Sequence, residues 1–181
     1  MQPFILNINH AAKNSTFNQN WYALYTRPYH EKRIYEQLKL NKIEAYLPLQ
    51  TTIRKWSDRN KKVTRPLFSC YLFVFISLKD YYKVLNIPGV VRYISFEGKA
   101  AIIPEKQIQM IKDLLTQDIE VTEPLENLPV RTTVEIKVGP LKGFIGELVE
   151  FAGRKRVLIS LEEICKSVLI NVPLNYLAFA G

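Results

Sequence analysis

Residues 66–76, PLFSCYLFVFI, are apolar or aromatic at almost every position. An extended run of this kind fits the centre of a sheet, where both faces are covered. Side chains alternate across a strand, so Tyr71 and Phe73 point to one face and Leu72 and Val74 to the other. Helices of the same chain can cover one face. The second, with its large rings, needs another cover or stays exposed as a patch of the kind that binds proteins. Ordinary core packing accounts for the same pattern, and both readings stay open at this point.

The flanking segments supply the rest of such a sheet. WYALYTR (21–27) reads as a strand, stopped by Pro28 ahead of a helix in YHEKRIYEQLKLNK. There Ile34, Leu38 and Asn41 lie near one stripe, with His30, Arg33 and Gln37 sharing a face beside it. IEAYLPLQTTI resumes extended structure. RKWSDRNKKVTR (54–65) then carries six basic residues around Trp56 against the single acid Asp58, and reads as the tip of a long basic hairpin. SLKDYYKVLNIPGV is a short helix closed by Pro88-Gly89, and VVRYISFEGKAAIIP two strands around Glu97-Gly98. Pro104 opens an amphipathic helix marked by Ile108, Ile111, Leu114 and Leu115. This order predicts an α+β unit, an antiparallel sheet backed by helices in the ferredoxin-like style.

DIEVTEPLENLP (118–129) has four acidic residues, two prolines and no basic residue, and reads as a linker. From Val130 the strands shorten to TVEIKV, IGELVEF, RVLISL and SVLINVP, spacing that suits a small β-barrel. Between the first two, Gly139-Pro140 presets a turn and Gly143 is placed for a positive φ. Gly146 marks a bulge or a close backbone approach.

Charge divides along the same line. Residues 1–117 hold 18 Lys/Arg against 8 Asp/Glu, while residues 118–181 hold 7 against 9. The first part therefore suits a polyanionic partner, and the second a different task. The interleaved arm Arg54, Lys55, Lys61 and Lys62 around Trp56 could track a phosphate backbone while the ring stacks. Arg27, His30, Arg33 and Gln37 form a second candidate surface where a strand end feeds a helix start. Each also reads as an ordinary solvated surface. No phosphate loop, paired carboxylates or nucleophile–base motif appears, so catalytic and metal-ligating residues are none, and no cofactor is expected. Cys70 and Cys165 lie outside any metal-ligand spacing and read as packing residues of a reducing compartment. The opening twenty residues have no basic n-region, and no stretch is long enough to span a bilayer. The expectation is a cytoplasmic protein with no membrane partner.

Taken together, WYALYTRPYHEKRIYEQL, RPLFSCYLFVFI, IPGVVRYI with AAIIPEKQI, and VEIKVGPLKGFIGELVEF resemble, in this order, the NusG-type transcription elongation factors. The first three are similar to the amino-terminal NGN domain. The last is similar to the KOW motif, with Gly139, Pro140, Phe144 and Gly146 in its pattern. The resemblance implies a flexible extension over 1–19, an NGN domain over 20–117, an acidic linker over 118–129 and an SH3-like KOW barrel over 130–181. It implies a monomeric elongation and antitermination factor without catalysis, whose NGN domain binds the clamp helices of the largest RNA polymerase subunit through Tyr25, Phe68, Tyr71 and Phe73. Arg27, His30, Arg33 and Gln37 would then face non-template DNA, and the KOW domain would recruit Rho or ribosomal protein S10. PLFSCYLFVF is more similar to the specialised RfaH-like paralogues, such as capsular-polysaccharide operon antiterminators, because the general factor has Pro-Gly where Ser69-Cys70 stand. The loop at Glu163, Ile164 and Cys165 also lacks the general factor's aromatic residue. The alternatives are a housekeeping NusG factor and a KOW-type ribosomal RNA-binding protein, although the barrel's 7 basic and 5 acidic residues supply little positive charge.

Overall fold

A computed structural model describes residues 19–55, 60–116, 121–122, 132–151 and 153–179. The N-terminal extension up to residue 18, the hairpin tip with Trp56 and most of the acidic segment lie outside these residues. The first half runs β1 (Asn20–Thr26), α1 (Glu31–Leu40), β2 (Glu44–Tyr46), β3 (Leu49–Lys55), β4 (Asn60–Pro66), β5 (Tyr71–Ile76), α2 (Tyr81–Leu85) and β6 (Val90–Tyr93). Three two-residue strands follow, β7 (Ser95–Phe96), β8 (Lys99–Ala100) and β9 (Ile102–Ile103), and then α3 (Glu105–Thr116). The antiparallel sheet has the order β2-β5-β1-β6, with β9 also pairing β1. β3 and β4 form a separate two-stranded arm. The α+β expectation holds, and the Glu97–Gly98 turn is a tight hairpin with φ of 50° and 77°.

Alternation along β1 and β5 decides which layer each side chain joins. Tyr22, Leu24, Leu72, Val74 and Ile76 are buried with Ile34 and Leu38 of α1 and Val84 of α2. On the opposite face Trp21, Ala23 and Phe73 are buried with Ile108, Met110, Ile111 and Leu114 of α3. Ile34 and Leu38 thus occupy the α1 stripe as expected, whereas Asn41 is the helix C-cap, its side-chain amide donating to the Gln37 carbonyl at 2.8 Å.

The second half contains β10 (Val121–Thr122), β11 (Thr132–Ile136), β12 (Ile145–Phe151), β13 (Arg154–Leu161), β14 (Lys166–Ile170) and β15 (Leu177–Phe179). They form one antiparallel sheet ordered β10-β14-β13-β12-β11-β15. β10 comes from the acidic segment, and its Val121 is buried. Gly139 and Gly143 have φ of 87° and 83°, which glycine adopts without a Cβ penalty. A different constraint acts at Gly146: a Cβ there would lie 2.6 Å from Val157 Cγ1 and 2.7 Å from the Leu158 carbonyl oxygen. The backbone oxygen cannot rotate away, so the β12–β13 pairing itself would have to shift. Gly146→Ala is expected to destabilise this sheet by about 1–3 kcal/mol, seen as a lower unfolding midpoint in denaturant.

Candidate functional site

The residues implied to meet polymerase gather on one face of the first sheet, because β1, β5 and β2 align them. Tyr25 lies opposite Tyr71, and Phe73 is flanked by Ala23 on one side and Tyr46 on the other. The Tyr25 and Tyr71 rings meet edge to face, 5.8 Å between centroids. Phe73 stacks on Tyr46 at 6.4 Å, and Trp21 contacts Phe75 at 5.3 Å. Such pairs prefer these offset and edge geometries because ring faces are negative and edges positive. Phe68 and Phe73 are fully buried, whereas Tyr25 and Tyr71 are half-buried and carry the accessible part of the face.

Sequence reading missed three contributors here. Tyr46 completes the aromatic row, and burial, reinforced by Asp113, pushes its hydroxyl pKa well above the usual tyrosine range. Arg92, opposite Tyr25 in the β1–β6 register, holds its guanidinium carbon 5.6 Å from the Tyr25 ring centroid. Lys112 of α3 places its ammonium 5.4 Å from both Trp21 and Tyr46. Arg92 lies on an exposed strand position whose pairing the sequence does not specify, and Lys112 meets these rings only because α3 packs on this face of the sheet.

Tyr71 is also approached from the second sheet. The Lys166 ammonium lies 5.2 Å from its ring centroid. Burial raises the Tyr71 pKa, and Lys166 partly opposes that by favouring the phenolate.

The basic residues assemble differently. Arg27, Arg33 and Gln37 are exposed, while His30 is half-buried with its Nδ1 unpartnered beside Gly89. Lys61 and Lys62 are exposed on β4, paired with Arg54 and Ile53 across the arm. Between the start of α1 and the base of the arm lies a cleft of about 490 Å³, lined by Pro28, Tyr29, Lys32, Thr64, Arg65 and Cys70 among others. None of the residues expected on the two basic surfaces lines it, and across it Lys32 donates to the Thr64 carbonyl at 3.3 Å.

The cleft walls hold unusual backbone. Tyr29 has φ 64° and is 96% exposed, and Cys70 has φ 67°. A non-glycine residue in this region carries a conformational cost. At Cys70 the buried Glu31 carboxylate offsets it by accepting the Cys70 amide at 2.8 Å. Burial and then Glu31 raise the Cys70 thiol pKa, with Lys166 acting in the opposite sense. Arg65 counted only as one of the basic residues of the hairpin and Tyr29 had no assigned role, since only folding brings residues 28–32 beside residues 64–70.

In the second sheet the motif residues build one turn. The Lys142 amide donates to the Gly139 carbonyl at 3.1 Å, and the Gly143 amide to the Ile136 carbonyl at 2.7 Å. Phe144 is half-buried, and the Lys106 ammonium of α3 lies 4.6 Å from its ring centroid.

Comparison with known proteins decides the family. Residues 19–112 match the family described as transcription termination factor nusG. The chain belongs to the NusG family. This NusG-family chain is 27% identical over 183 residues to the transcription termination/antitermination protein NusG of Rickettsia prowazekii, covering 93% of each. It is 24% identical over 156 residues to the NusG of Halalkalibacterium halodurans, covering 77% of this chain and 86% of that one. Among solved structures it superposes on that of Thermotoga maritima NusG, in which a domain interaction is described. The TM-score is 0.55 at 17% identity, covering 90% of this chain and 97% of that one, a likeness of fold. Members of the family are transcription factors. No helix among the described residues is long and apolar enough to cross a membrane.

Proposed function

We propose that this NusG-family chain is a cytoplasmic transcription antitermination factor that docks on the clamp helices of the largest RNA polymerase subunit and reduces pausing on particular operons. The observation that carries this reading is the convergence of Tyr25, Phe68, Tyr71 and Phe73 on one sheet face. Tyr25 and Tyr71 form its accessible part, over a rigid floor made by the other two. Aromatic anchors of this kind dominate binding energy at protein interfaces. Work is done by binding alone, with no bond chemistry and no cofactor. In the same reading residues 20–117 act on polymerase, and residues 130–181 serve recruitment, of Rho or ribosomal protein S10 among others. The departure at Glu163, Ile164 and Cys165 favours a specialised paralogue over the housekeeping factor.

Non-template DNA is assigned to Arg27, His30, Arg33 and Gln37, extended by the arm residues Arg54, Lys55, Lys61 and Lys62. Tethering by polymerase supplies the effective concentration that makes weak contacts sufficient. Each phosphate contact removed is expected to lower the salt slope of DNA binding within the elongation complex by about one unit. Arg33→Ala combined with Lys61→Ala and Lys62→Ala, titrated against salt, checks this; an unchanged slope and unchanged crosslinking count against the assignment.

The test of the whole reading is binding of the full chain to purified polymerase, a pausing assay, and occupancy along the genome. Occupancy of a few long operons supports the specialised role, and occupancy of most genes supports the housekeeping one. Failure to bind polymerase sinks both.

A further inference from the structure

Phe68 and Tyr71, one beneath the aromatic face and one on it, are the two ends of a single four-residue turn. The Tyr71 amide donates to the Phe68 carbonyl at 3.3 Å and closes it. Cys70, third in the turn, has φ 67°, whereas Ser69 before it keeps a negative φ. A turn of that type asks for glycine or asparagine in its third place, because other side chains are strained there. Left to itself the chain would flip the Ser69–Cys70 peptide into the commoner turn, whose third residue has a negative φ. The group such a flip moves is the Cys70 amide, and that amide is held. It donates to Glu31 Oε1 at 2.8 Å. On its other side the Cys70 carbonyl accepts the Thr26 amide at 2.9 Å, next to Tyr25. Cys70 is thereby clamped between the start of α1 and the end of β1. The Tyr25–Tyr71 ring pair stands immediately beyond the clamp.

Glu31 is only 6% exposed. A carboxylate taken out of water is costly unless hydrogen bonds compensate it. Its place in the first turn of α1 favours the negative charge, and its bond to the Cys70 amide is charge-assisted. We infer that Glu31 is a positioning residue for docking, holding the 68–71 turn so that Tyr71 meets its partner already braced against Tyr25. This rests on the docking role proposed for the aromatic face. A side chain held in place before binding loses less freedom when the partner arrives. Removal of the acceptor therefore lowers affinity although no residue of the face has changed.

Glu31→Ala in the full chain is expected to weaken polymerase binding about fivefold to tenfold, measured well below its thermal midpoint. Glu31→Met fills similar space without an acceptor, is expected to act alike, and takes over if the alanine variant does not fold. Glu31→Gln keeps an oxygen acceptor and is expected to stay within about twofold of the unaltered chain. Cys70→Gly added to Glu31→Ala removes the cost of the positive φ and is expected to restore most of the affinity. In a Tyr71→Ala chain, Glu31→Ala is expected to change affinity by less than about twofold, since Glu31 acts through that ring. A merely structural role would add its own loss there. Unchanged affinity of the folded alanine and methionine variants, or an equal loss with and without Tyr71, overturns the inference while the docking role stands. Failure of both Glu31→Gln and Cys70→Gly to keep the affinity overturns it as well. Polymerase binding that is insensitive to Tyr71→Ala overturns the docking role, and the inference with it.

Discussion

Replacing Tyr71 by Ala is expected to weaken polymerase binding more than tenfold while leaving the chain folded. Truncating an aromatic anchor at the centre of an interface typically costs about 2 kcal/mol or more. Tyr71 qualifies because it is half-buried and braced at its edge by Tyr25, 5.8 Å away between centroids, so its ring is held in place before any partner arrives. Its accessibility also limits the damage to the fold, since the ring is not part of the fully buried set. The same substitution removes the ring beneath the Lys166 ammonium. Comparison with Lys166→Ala, which removes that contact and leaves the ring, isolates the loss of docking. Unchanged affinity of a folded Tyr71→Ala chain refutes the role of this face.

Phe73→Ala, two residues along the same strand, is expected to act on stability. Phe73 has no exposed surface and sits between Ala23 and Tyr46 in the sheet register. Its removal leaves a cavity where the first sheet and α3 meet. Such truncations cost about 3–5 kcal/mol, a large share of the total stability of an ordinary domain. A fall of many degrees in the thermal midpoint is the expected measurement, and a midpoint within a degree or two of the unaltered chain contradicts the packing described. Phe68 and Phe73 thus support the proposed docking face from beneath, while Tyr25 and Tyr71 are its accessible residues.

Much of this was legible in the chain itself, for local reasons. Alternation with period two put Tyr71 and Phe73 on one face of β5, and Leu72 and Val74 on the other. The helical stripes at Ile34 and Leu38, and at Ile108, Ile111 and Leu114, identified the covering layers. Gly146 announced a close approach that proved to be the Leu158 carbonyl. Each of these follows from the geometry of a few consecutive residues, which the sequence by itself determines.

What covers the aromatic face was decided only by tertiary structure. The pattern of β5 states that Tyr71 and Phe73 share a side, but carries no information about a Lys166 nearly a hundred residues away. Nor does it state that Tyr46 would stack on Phe73, or that Tyr29 and Arg65 would wall one cleft. Periodicity fixes the direction in which a side chain points. The identity of what it meets depends on how separate elements pack, because the hydrophobic effect that drives them together is non-directional and accepts any complementary apolar surface.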